Sequence, residues 1–91
     1  MIRTFRSKAL KLFFEKGDAS KLPVQNPSRI RRMLALLDVS TKPEDMNVPG
    51  YRFHGLNTKP KRYATDASGN YRMTFGFEDE DAVDVDLEDY H

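Results

Sequence analysis

Asn70-Tyr-Arg-Met-Thr-Phe-Gly-Phe77 sends Tyr71, Met73, Phe75 and Phe77 to one side of an extended chain and Arg72 and Thr74 to the other. A period of two is the mark of a half-buried strand. Glu78-Asp-Glu-Asp81 then makes an acidic turn, and Ala82–Tyr90 alternates again, with Val83, Val85 and Leu87 set against Asp84, Asp86 and Glu88. Upstream, Arg62–Ala67 reads as a further strand that ends at the hairpin signal Ser68-Gly69. Tyr51–Leu56 is a fourth, separated from it by the Lys- and Pro-rich turn Asn57-Thr-Lys-Pro-Lys61. Four strands joined by short turns describe an antiparallel meander.

The first half has a different period. Met1-Ile-Arg-Thr-Phe5 alternates as a short strand would. Ser7 is placed to cap a helix through Lys16, in which Leu10, Phe13 and Phe14 stand at i, i+3 and i+4 and Gly17 is the stop. Asn26-Pro27 opens a second helix, whose apolar face of Ile30, Met33, Leu34 and Leu37 runs to Asp38. Around Thr41 the pattern Thr-x-x-Glu44 predicts a capped turn, and Val48-Pro-Gly50 breaks the chain. The expected fold is α+β, in one domain over residues 1–91. Two N-terminal helices pack on a twisted antiparallel sheet in the order β-α-α-β-β-β-β.

The 91 residues contain no cysteine and two histidines, so neither a disulfide staple nor a multi-histidine zinc site is expected within the chain. No apolar run approaches a membrane span, and no signal-peptide stretch follows Met1, so a cytoplasmic location is the expectation. The net charge of +1 conceals a division. Residues 1–62 carry +9, whereas residues 63–91 carry −8 with Arg72 as their one basic residue. Such asymmetry points to an anionic partner met by one face, or to charge balance within the fold.

Few residues could carry chemistry. His54, on the Arg52 side of its strand, could take or give a proton, or make a structural hydrogen bond. His91 follows Asp89-Tyr90 at the end of the sequence. Arg72 could hold a phosphate through two guanidinium contacts, or pair with Asp84 or Asp86 on the neighbouring strand. Lys59, Lys61 and Arg62, with Arg29, Arg31 and Arg32, form the basic portion. Lysines and arginines beside Tyr51 and Tyr63 suit phosphate contact with base stacking, as on single-stranded RNA, though a solvated face looks the same.

Beyond this point a resemblance adds to the reading. Met1-Ile-Arg-Thr-Phe5 with Leu10-Lys-Leu-Phe-Phe-Glu-Lys-Gly17 resembles the opening of HigB-type toxins, within the RelE/ParE-like toxin–antitoxin superfamily. Arg52-Phe-His-Gly-Leu56, Gly69-Asn-Tyr-Arg-Met-Thr-Phe75 and the ending Val85-Asp-Leu-Glu-Asp-Tyr-His91 are similar in the same order. The resemblance implies a RelE-like fold and an endoribonuclease that cuts messenger RNA on the ribosome without metal or cofactor, by attack of the RNA's own 2′-hydroxyl. It implies catalytic roles for His54, Arg72, Asp89 and His91, and RNA contacts from Asn57, Lys59, Lys61, Arg62 and Tyr90. It also implies a helix-turn-helix antitoxin of the HigA type as partner, with operator DNA reached only through that complex.

The chain departs from the family pattern after the His-x-Leu segment, where members carry a lysine followed by Gly-rich and acidic residues. Here that stretch is Asn57-Thr-Lys-Pro-Lys61, and Asn57 brings no positive charge. Tyrosines Tyr63 and Tyr71 stand where tryptophan is usual, and Asp66 interrupts an otherwise apolar strand. Two other functions compete: a non-catalytic homologue that only binds its antitoxin and co-regulates the operon, and a ParE-like inhibitor of gyrase.

Overall fold

The computed structural model describes residues 1–89. Helix α1 spans Lys8–Lys16, and its start is the expected one: the Ser7 hydroxyl accepts the Leu10 N–H at 3.1 Å. Such a cap contributes about 1 kcal/mol. Gly17 closes the helix in the left-handed region (φ 71°), returning its N–H to the Phe13 carbonyl. Helix α2 spans Ser28–Val39, with Asn26 Oδ1 accepting the Ser28 N–H at 3.2 Å. A short 3₁₀ turn follows at Pro43–Met46. Its opening is held by Asp45, whose carboxylate accepts the Thr41 N–H at 2.9 Å, where the sequence pattern had pointed to Glu44.

The sheet is antiparallel in the order β1-β2-β3-β4, from β1 (His54–Gly55), β2 (Tyr63–Ser68), β3 (Tyr71–Glu78) and β4 (Asp81–Asp89). Leu10, Phe13, Ile30, Met33, Leu34 and Leu37 of the helices meet Met73, Phe75, Ala82 and Val85 of the sheet in one core. Even the polar atom on this face has a partner, since the buried Thr65 hydroxyl meets the Met33 sulfur at 3.0 Å.

Three expectations about strands are corrected. Met1–Phe5 is no separate strand. It makes two isolated parallel bridges to β4, Ile2 with Ala82 and Phe5 with Val85, so the helices precede the strands. Strand β1 is two residues long instead of six, because Arg52 takes φ 52° and breaks the extended run. In β4, Val83 does not share a side with Val85. Asp84 adopts φ 53° in a bulge, so Ala82 and Val85 reach the core while Val83 lies across from Gly76 on the other face.

The N-terminal segment is tied to β4 by side chains as well. Arg3 reaches Asp81 at 3.0 Å and Glu78 at 3.2 Å, and the N-terminal ammonium also meets Asp81 at 3.2 Å. These hydrogen bonds, Arg3's first, hold the Asp81 carboxyl below its ordinary 3.8. A depressed folded-state value means a contribution fully present above the unfolded value and lost as pH falls through the folded one. Asp81→Asn is therefore expected to unfold more easily than the parent at neutral pH. The two should converge once the parent's Asp81 is protonated, below pH 3.8. Urea midpoints followed from pH 7 downward measure this, and a gap that persists unchanged into acid would contradict it.

Candidate active site

The pairing of the four strands fixes which side chains share the face turned away from the helices. His54 is opposite Ala64, Ala64 opposite Thr74, and Thr74 opposite Asp86, so these four form one row across the sheet. Two residues along, Asp66, Arg72 and Glu88 form the next. Two strand spacings sideways and one two-residue step along separate His54 from Arg72, about 12 Å between Cα atoms.

The bulge makes this arrangement. Near the turn, Glu78 opposes Asp81 and Gly76 opposes Val83. Beyond Asp84 the pairing has moved by one, to Thr74 with Asp86 and Arg72 with Glu88. Without the extra residue, the β4 acids beyond the turn would face the helices and Val85 and Leu87 would face water. The bulge is held from outside by Thr4, whose hydroxyl accepts the Asp84 N–H at 2.8 Å. Arg72 thus stands among Asp66 and Glu88, while Asp86 opposes Thr74 and Asp84 lies 4.0 Å from Arg6.

His54 is exposed, and its Nδ1 is 2.9 Å from the Arg52 carbonyl. A carbonyl only accepts, so Nδ1 carries the hydrogen of the neutral ring and Nε2 is left as acceptor. The positive φ of Arg52 turns that carbonyl toward the ring two residues on, and the Arg52 guanidinium reaches Asp66 at 3.4 Å.

Arg62, expected at an RNA surface, is 6% exposed. Its Nη2 donates to the Thr74 hydroxyl at 3.0 Å and to the Asp84 carbonyl at 2.8 Å. Burial pulls this guanidinium below the ordinary arginine range and the nearby Arg6 charge acts the same way, against Glu88, Asp84 and Asp86. The Thr74 hydroxyl in turn donates to Glu88 Oε2. Neither Thr74 nor Glu88 was singled out by sequence. The signal available was their spacing, since with Arg72 they occupy one polar parity across a hairpin, but the bulge hides the register.

The loop after β1 is exposed at Asn57, Lys59 and Lys61. The Thr58 hydroxyl staples it by donating to the Pro60 carbonyl and accepting the Arg62 N–H. Lys61 lies over Gly55, where a Cβ would come within 2.9 Å of its ammonium, on the opposite side of β1 from His54. Arg29 is also committed, to the carbonyls of Gly50 and Asp66 and to the Tyr51 ring at 5.0 Å. Asp89 ends β4 opposite Tyr71, on the side of the sheet of Met73 and Leu87, so the register gives His54 and Arg72 a common face and Asp89 the other one. Tyr90 and His91 lie outside the described residues.

A family model described as the RelE-like toxin HigB of type II toxin–antitoxin systems matches residues 3–91. The chain is also 38% identical over 92 residues to the Endoribonuclease HigB of Proteus vulgaris, across the full length of both. With a helical layer on one side of a four-stranded antiparallel sheet and a polar face on the other, the chain belongs to the HigB-like family of RelE-like toxins.

Proposed function

We propose that this toxin is an endoribonuclease that cuts messenger RNA on the ribosome. The observation that carries the reading is the common face of His54 and Arg72, with an exposed imidazole whose Nε2 is left as acceptor and an arginine on the same side of the sheet. The activity in the name of the Proteus vulgaris relative supports it. His54 Nε2 takes the proton of the 2′-hydroxyl as its oxygen attacks phosphorus. The bond from phosphorus to the 5′-oxygen breaks, leaving a 2′,3′-cyclic phosphate, and the leaving oxygen takes a proton from the closing Asp89-Tyr90-His91 segment. Arg72 stabilises the charge that gathers on the non-bridging oxygens. Asn57, Lys59 and Lys61 contact flanking RNA, and Arg62, being buried, supports the site from within.

An antitoxin partner follows from membership of a type II family. We assign that role to a helix-turn-helix protein of the HigA type, which carries the complex to operator DNA. No helix among the described residues is long and apolar enough to cross a membrane, and action on translating ribosomes requires the cytoplasm.

The test is cleavage of a defined messenger by purified protein, with and without ribosomes, with end-group analysis of the products. Cuts confined to ribosome-bound message and ending in cyclic phosphate are expected. His54→Ala should slow them by about 10²–10⁴-fold, the range for loss of a positioned proton acceptor. No cuts from a folded parent chain would turn the reading to an antitoxin-binding homologue without catalysis.

A further inference from the structure

Among the described residues, three other than glycine take a positive φ: Asp79 in the β3–β4 turn, Asp84 at the bulge, and Arg52. A tight turn and a bulge each call for such a backbone, and aspartate tolerates it. Arg52 belongs to neither. A long side chain enters the left-handed region only where its surroundings hold it there. Here the Tyr51 carbonyl accepts the Asp66 N–H at 2.8 Å, and the Gly50 carbonyl accepts Arg29 Nη2 at 2.6 Å. Arg52 Nε itself lies 3.4 Å from Asp66 Oδ2, with most of the side chain in water. An exposed pair of that kind contributes little alone, so the bonds to Tyr51 and Gly50 carry the turn.

The held turn delivers the Arg52 carbonyl, 2.9 Å from His54 Nδ1. Both ends of the segment are fixed, Tyr51 by its bond to Asp66 and His54 by its pairing with Ala64. Between fixed ends, residue 52 sets the plane of the peptide that follows it. A residue that leaves the left-handed region has to re-aim that peptide, and its carbonyl with it. A neutral imidazole can carry its hydrogen on either nitrogen, and the bond made by one decides what the other does. With the hydrogen on Nδ1, Nε2 accepts. With it on Nε2, the ring offers a donor and cannot take the 2′-hydroxyl proton there.

We infer that Arg52 is a positioning residue for the nuclease reaction: its left-handed backbone holds a carbonyl against His54 Nδ1 and so keeps Nε2 the proton acceptor. The inference rests on the nuclease reading above and has Arg52 act through His54, with no RNA contact required of its guanidinium. It also gives a place to Asp66, the acid that interrupts its strand, whose N–H and carboxylate both meet the Tyr51–Arg52 turn.

The test compares Arg52→Gly, Arg52→Ala and Arg52→Val with the parent chain. All three remove the guanidinium alike. They differ in how far they oppose a positive φ, since glycine accepts it freely, alanine resists it and valine resists it most. Ribosome-bound message is cut in single-turnover reactions over a range of protein concentration, with thermal unfolding in parallel. Long-range ¹H–¹⁵N spectra of the imidazoles report which nitrogen carries the hydrogen. They are assigned against His54→Ala and followed up in pH until the ring signals stop moving.

The parent and Arg52→Gly are expected to hold the His54 hydrogen on Nδ1, with maximal rates within about threefold of each other. Arg52→Val should lose that preference and cut about tenfold or more below Arg52→Gly, at a half-saturating concentration within about twofold of it. Arg52→Ala should fall between them. The inference is overturned if the parent carries the His54 hydrogen on Nε2. It is equally overturned if folded Arg52→Gly and Arg52→Val cut alike, or differ only in half-saturation. Should Arg52→Val not fold, Arg52→Ala against Arg52→Gly decides in the same way. A parent chain that makes no cuts removes the nuclease reading and this role with it. A cutting parent whose Arg52→Gly and Arg52→Val chains match removes only the inference.

Discussion

Arg72→Ala is expected to slow RNA cleavage by about 10³-fold while leaving the domain folded, the scale seen when one preorganised donor to a developing charge is lost. Arg72 is held on a central strand between Asp66 on β2 and Glu88 on β4. The strand sets its origin, on the face it shares with His54. Truncation leaves two acids in one row of the sheet without the cation between them, a cost of up to about 1 kcal/mol. That is too small to unfold the chain, so activity and stability separate. Arg72→Lys keeps the charge and loses the planar fork, so it should stay slow by roughly tenfold or more. Single-turnover cleavage beside thermal unfolding makes the measurement. A folded Arg72→Ala chain that cuts at the parent rate would remove Arg72 from the site.

The same residue shows how far the sequence could be read. Arg72 and Thr74 on the polar side of β3, and the helix faces built on Leu10, Phe13, Ile30 and Leu37, follow from periodicity alone because burial enforces it. The partner of Arg72 does not follow. A two-residue turn at Asp79-Glu80 by itself sets Arg72 opposite Leu87, whereas the chain sets it opposite Glu88. The difference is one residue, Asp84, at a positive φ that sequence does not announce and that Thr4 holds from 80 positions away. His54 was singled out, but its setting could not be read, for the same kind of reason. Its strand was expected to run from Tyr51, yet Arg52 breaks the run and turns its carbonyl to the imidazole. That turn selects the tautomer which leaves Nε2 open. Arg62 was legible only as charge. Its burial depends on three strands meeting over it, and no local pattern distinguishes it from the exposed lysines Lys59 and Lys61 beside it.

Phe75→Ala is expected to cost about 3–5 kcal/mol, the range for removing a buried aromatic ring. Phe75 is fully buried, with the Tyr63 ring 6.1 Å away on β2 and the Phe77 ring 6.0 Å away on its own strand. Domains of this size hold about 5–15 kcal/mol in total, so this one ring can account for a third or more. At about 4–8 °C per kcal/mol, the melting temperature should fall by roughly 12–40 °C. Urea unfolding with an unchanged m-value checks it, since the loss should be of stability and not of cooperativity. Met73, fully buried beside it, gives the control: Met73→Leu conserves volume and should cost less than about 1.5 kcal/mol. A Phe75→Ala chain within 1 kcal/mol of the parent would mean that the sheet's support lies elsewhere, in the helices or the N-terminal bridges. The prediction bears on function because Phe75 separates Thr74 from Gly76 on β3. A ring fixed in the core on one side of that strand holds steady the backbone that carries Arg72 and Thr74 on the other.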